Sequence, residues 1–169
     1  VGLLTFRPET AGPIGDLANT LLRAPNSLTR GERELIAASV SSGNECQFCA
    51  SSHSAVAARE LGDGALVEQV VANAAAAGIP AKMRALLHIA DRVRVSGKAV
   101  VPEDIAAARE AGASDVEIHD TVLIAAAFCM MNRYVDGLGT FAPDDPSGYA
   151  EAAEMIVANG YPSATRQPA

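Results

Sequence analysis

Tryptophan is absent and the aromatic residues make up only 4% of the 169 residues, although 49% are hydrophobic. A core of bulky rings is therefore excluded, and Ala, Val, Leu and Ile must build it. Cationic residues are also sparse. The 13 Lys and Arg stand singly against 20 Asp and Glu, a formal net charge of −7. No basic stripe exists to neutralise a phosphate backbone, so no nucleic-acid partner is expected. No apolar run approaches the ~20 residues of a membrane span, and the longest, Thr121 to Met131, reads as a buried helix. No basic-then-apolar leader opens these residues, which leaves a cytoplasmic location as the default expectation. Phosphate-cradling glycine loops and a Gly-x-Ser-x-Gly elbow are missing too: Gly62-Asp-Gly64 and Gly137-Leu-Gly139 fall at helix ends and read as caps. With three cysteines, complete pairing within one chain is impossible.

What is present is helical punctuation. Thr29-Arg-Gly-Glu32 is a capping box that opens a helix to about Ser42, and Ser114-Asp-Val-Glu117 opens a long one to about Leu138. Between and around them the spacing predicts helices over Pro13 to Leu22, Asp63 to Ala77, Ala81 to Val95 and Pro102 to Ala111. No alternating run predicts a strand, so the fold class is all-α. Residues 1–145 form one all-helical domain in this reading. Residues 146–169 add a weak helix, Tyr149 to Ala158, and a polar tail expected to be mobile. Alanine-rich helices bury little area each, so docking between subunits into a homo-oligomer is a natural way to bury more.

The chemistry concentrates in Cys46-Gln-Phe-Cys49-Ala-Ser-Ser-His53. With Asn44 as N-cap, Gln47 as its reciprocal partner and Gly62 as the stop, Cys46 falls in the first turn and Cys49 in the second. At about 100° per residue, positions 46, 49 and 53 share one helix face. Unpaired N–H groups at a helix start favour a thiolate. The effect matters, since a thiol of pKa roughly 8.5 is about 3% ionised at pH 7 and one at ~6.5 roughly 75%. His53 is positioned to take the thiol proton or to stabilise the thiolate. Two other readings stand beside this one. A zinc site would use the same Cys and His but lacks an evident fourth ligand, and small buried thiols need no chemistry at all. Upstream, Glu34 lies in line with Ala38 and Ser41. It either faces the cysteine helix and orients His53 or, as most helix glutamates do, faces water.

Glu34, Cys46, Cys49 and His53 at these spacings resemble the core motif of the alkylhydroperoxidase D-like proteins in the carboxymuconolactone decarboxylase superfamily. Leu28-Thr29, Glu34-Leu35-Ile36, Asn44 and Asn132-Arg-Tyr-Val-Asp-Gly-Leu138 resemble its peroxidase-related branch, and the likeness runs roughly from Pro13 to Pro143. The resemblance implies an oligomeric helical bundle and a thiol peroxidase without haem, flavin or metal. Cys49 would attack the terminal peroxide oxygen and Cys46 would resolve the sulfenic acid as a disulfide. Glu34 and His53 would relay protons, and a dithiol or partner protein would reduce the disulfide. The substrate so implied is a small-molecule hydroperoxide. The best-known members carry histidine immediately before the second cysteine, whereas Phe48 stands here, implying a less polar site with one acid–base group fewer.

Two further classes share the field: a decarboxylase or lactone-transforming enzyme of the same superfamily, which does not need the paired thiols, and a non-catalytic helical oligomer. His88 and His119 lack metal-spaced partners and read as structural or surface residues. Cys129 reads as a buried thiol, and Asn132, Arg133 and Asp136 as carbonyl caps, an internal ion pair, or the lining of an interface or site mouth.

Overall fold

The computed structural model describes residues 3–75 and 77–162. Nine α-helices follow in order among them: α1 (Leu3–Phe6), α2 (Pro8–Arg23), α3 (Arg30–Gly43), α4 (Gln47–Leu61), α5 (Gly64–Asn73), α6 (Ala81–Val95), α7 (Pro102–Glu110), α8 (Asp115–Gly137) and α9 (Ser147–Asn159). A single 3₁₀ turn, Gly97–Ala99, joins α6 to α7, and no strand occurs among the described residues. The fold is all-α, as the missing alternation predicts. No helix in the described residues is long and apolar enough to cross a membrane.

Local signals set most boundaries. Thr29 accepts from the Glu32 N–H at 3.2 Å while Glu32 accepts from the Thr29 N–H at 2.7 Å, and the same reciprocal pair joins Ser114 and Glu117. Gly62, at φ 69°, ends α4 in the left-handed conformation that glycine adopts without penalty. Two boundaries differ from the sequence reading by four residues or more. Helix α2 starts at Pro8, five residues earlier than expected, because Pro8 occupies its first turn and Pro13 forfeits only one backbone bond. Helix α5 stops at Asn73 rather than near Ala77, because the Asn73 side chain accepts the Ala75 N–H at 3.2 Å and turns the chain.

Helix α3 is the centre of the bundle. It packs along α4 and also against α2, α5, α6 and α8, so it is buried almost all round: Leu35, Ile36, Ala37, Ala38 and Val40 are all at most 2% exposed. Helices α3 and α4 form an antiparallel hairpin, with Gly31 at the start of one meeting Leu61 at the end of the other. A Cβ at position 31 would lie 2.6 Å from the Leu61 side chain and 3.2 Å from its backbone nitrogen. Only glycine allows that approach. Helix α9 then covers α4, burying Tyr149 and Ala153, and Tyr149 meets Phe48 edge-on at 6.1 Å between ring centroids.

Gly31→Ala is therefore expected to lower stability in urea by about 1–2 kcal/mol, the cost of overpacking outweighing the gain in helix propensity. A midpoint equal to or above that of the parent would contradict the tight α3–α4 contact.

Candidate active site

The link between α3 and α4 is three residues long, and its geometry corrects the sequence reading of the cysteine helix. Asn44 caps the C-terminus of α3 instead of the N-terminus of α4. Glu45 turns the chain at φ 60°, a left-handed conformation that costs a non-glycine residue about 1 kcal/mol. Cys46 is itself the N-cap of α4, and Cys49 sits in the first turn. Gln47, expected to reach back to Asn44, donates to Asp144 at 3.3 Å.

Glu34 faces inward and is fully buried. The solvated alternative is thereby excluded. One carboxylate oxygen lies 2.7 Å from His53 Nδ1 and the other accepts from the Tyr161 hydroxyl at 2.8 Å. The Tyr161 hydroxyl also lies 3.2 Å from His53 Nδ1. Against an ionised carboxylate Nδ1 is the donor, and in the neutral imidazole that tautomer leaves Nε2 its lone pair. Phe128 packs edge-on against the imidazole at 4.5 Å between centroids and holds its plane.

The two thiols, both free, have unequal surroundings. Cys49 is 4% exposed and lines a cavity of about 720 Å³, while Cys46 is wholly buried and does not reach it. Burial pushes both thiols up rather than down, opposite to the expected helix-start activation: Cys46 to about 12, and Cys49 upward by a direction set mainly by desolvation. For Cys49 hydrogen bonds from the Cys46 thiol and Asn132 oppose that shift, whereas the nearby Asp136 carboxylate adds to it. For Cys46 the Cys49 N–H is the opposing group, and Asp136 holds its proton in place. Of the pair, Cys49 is thus the sulfur surrounded by donors.

A polar network fixes one of those donors. Asn44 donates to Asn132 Oδ1 at 2.8 Å, and Asn132 donates in turn to Ser41 Oγ at 2.9 Å, which aims its amide toward α3 and Cys49. Asn132 is 1% exposed, and its side chain bonds two neutral side chains instead of the helix carbonyl or ion-pair partner expected of it. Arg133 makes no ion pair with Asp136 among the described residues and donates to the Cys129 carbonyl at 2.8 Å. Cys129, read from sequence as a buried thiol, is half-buried and accepts from Asn44 at 3.6 Å. His88 and His119 pair with Asp104 and Asp120 on the surface, away from the site. No three of the described His, Cys, Asp and Glu side chains converge as metal ligands, so the zinc alternative has no ligand set.

The residue that sequence reasoning missed is Tyr161. It falls in the segment expected to be a mobile tail, but its backbone N–H and C=O are both bonded to the Asn19 side chain, at 2.9 and 2.8 Å. The rest of that tail, residues 163–169, lies outside the described residues. Besides Cys49, His53 and Tyr161, the cavity is walled mainly by apolar side chains, including Ile14, Phe48, Phe128 and Ile156, with Thr5, Ser52, Thr140 and Tyr149 also on its lining. A thiol held protonated reacts with iodoacetamide only as pH rises to ionise it. Peptide mapping should find Cys49 alkylated before Cys46 with a rate still climbing above pH 9; a rate that levels off below pH 8 would contradict this environment.

Residues 8–92, which carry Glu34, Cys46, Cys49 and His53, match the model of the carboxymuconolactone decarboxylase family. The structure is similar to an alkylhydroperoxidase AhpD core, an uncharacterized peroxidase-related protein from Ralstonia eutropha JMP134, with a TM-score of 0.80 and 29% identity over 87% of this chain and 76% of that one. It is also similar to an uncharacterized peroxidase-related protein from Silicibacter sp. TM1040, with a TM-score of 0.78 and 28% identity over 86% and 74% of the two chains. No curated protein matches the sequence. Family model, helical architecture and structural neighbours agree: the chain is an alkylhydroperoxidase D-like member of the carboxymuconolactone decarboxylase family.

Proposed function

We propose that this protein reduces organic hydroperoxides with its Cys46/Cys49 pair. The observation that carries the reading is the cavity itself, where Cys49 and a histidine oriented by a buried carboxylate share one wall. Cys49 sulfur attacks the terminal peroxide oxygen, the O–O bond breaks, and the electron pair leaves on the alkoxide. The thiol proton passes to His53 Nε2 and from there to the alkoxide, giving the alcohol and a Cys49 sulfenic acid. Cys46 then attacks that sulfur, water departs, and the disulfide forms. A dithiol, free or on a partner protein, returns both thiols.

Burial of Cys49 fits such a sequence with a cost. The resting thiol is protonated, so its reaction requires the His53 lone pair at the moment of attack, and the apolar walls keep water from competing. Phe48, in place of a histidine, extends those walls and favours an organic peroxide over a small polar one. A homo-oligomer belongs to the same proposal, supported by Met130, Leu138 and Phe141 standing exposed at the cavity rim. So does a cytoplasmic location, where reductants keep thiols reduced.

A second reading has its own support. Because both thiols are held protonated while Glu34 and His53 are fully assembled, the site suits acid–base chemistry on an apolar carboxylated or lactone substrate. The two separate cleanly. With cumene hydroperoxide and dithiothreitol, peroxide reduction should fall to background in Cys49→Ser and by about a hundredfold in His53→Ala. Without dithiothreitol, Cys46→Ser should stop after one turnover with a sulfenic acid that dimedone traps. Full activity in both Cys49→Ser and His53→Ala contradicts the peroxidase reading, and turnover of a lactone or carboxylate by the Cys46→Ala/Cys49→Ala double variant establishes the second.

A further inference from the structure

We infer that Tyr161 is a positioning residue for the Glu34–His53 pair, delivered to the site by a side-chain clamp on Asn19. The inference rests on the proposed proton relay, and it concerns a residue outside the family-matched segment 8–92. Glu34 has two carboxylate oxygens and no contact with water. His53 occupies one, and a buried carboxylate oxygen left without a donor carries the full desolvation penalty. The Tyr161 phenol supplies the missing donor at 2.8 Å. With both oxygens engaged, the carboxylate plane is fixed, and so is the imidazole hydrogen-bonded to it. Tyr161 also lies beside the imidazole, its ring centroid 5.9 Å away with the planes inclined at 31°. Burial and the adjacent Glu34 raise the phenol well above its usual range, so it remains a donor.

The clamp explains why a residue just past the last helix is so well held. Asn19 accepts from the Tyr161 N–H and donates to its C=O, and the same amide donates to Gly15 in α2 at 3.0 Å. One turn further along α2, Arg23 donates to the Val157 carbonyl at 2.7 Å and so ties down the end of α9. Helix α2 thereby fixes the register at which the phenol meets Glu34.

Two readouts test this. The first is the downfield proton resonance expected for the short Nδ1–H bond of His53, recorded on the reduced protein. The second is the rate of Cys49 oxidation by cumene hydroperoxide. Tyr161→Phe keeps the ring and removes the donor, so the resonance should move and the rate fall about tenfold with helical content unchanged. Asn19→Ala, which leaves the phenol in place and frees its backbone, should change both in the same direction. An unmoved resonance or a rate within twofold of wild type in Tyr161→Phe overturns the inference. If wild type itself shows no peroxide-driven oxidation, the peroxidase reading fails while the resonance still decides whether Tyr161 positions His53.

Discussion

A carboxylate buried without water must find donors inside the protein, and here that requirement shapes the bundle. Glu34 projects from the middle of α3 into the seam with α4, where His53 meets it at 2.7 Å. The bond forms only if the two helices run close together. Gly31 against Leu61 closes one end of the seam, and the Thr29–Glu32 box fixes where α3 begins. Leaving such an oxygen unpaired costs several times what a made hydrogen bond contributes, so the pair constrains packing more than it stabilises it. Helix register and the donor role of His53 Nδ1 both follow from one contact.

The thiols illustrate the opposite tension. A helix start draws a thiolate, yet removal from water disfavours it, and burial prevails at both sulfurs. What distinguishes Cys49 from Cys46 is not solvent but neighbours: Asn132 and the Cys46 thiol donate to it, and it alone touches the cavity. Asn44 and Ser41 hold Asn132 in the orientation that makes this so. Under the proposed peroxidase reading, a dithiol held protonated at rest and ionised only at the moment of attack is protected from indiscriminate oxidation.

Much of this was legible in the chain. Capping boxes at Thr29 and Ser114 are local chemistry, readable within four residues, and the spacing of Cys49 and His53 places both on one face of α4, whereas Cys46, expected on that face, stands before the helix as its N-cap and does not reach the cavity. Asn44 was misread because a short inter-helix link offers one residue to two helix ends, and the Glu45 turn that assigns it to α3 leaves no mark in composition. Asn132 and Tyr161 depend on contacts spanning 88 and 127 positions. Periodicity cannot anticipate those. The sign of the thiol shifts was invisible for the same reason, since desolvation is a property of the assembled neighbours.

The most direct test is the mass of the fully reduced protein after one equivalent of cumene hydroperoxide, with peptide mapping of the thiols. The account predicts rapid loss of two hydrogens, localised to a Cys46–Cys49 disulfide, with Cys129 unchanged. An unaltered mass, or oxidation confined to Cys129, would contradict it.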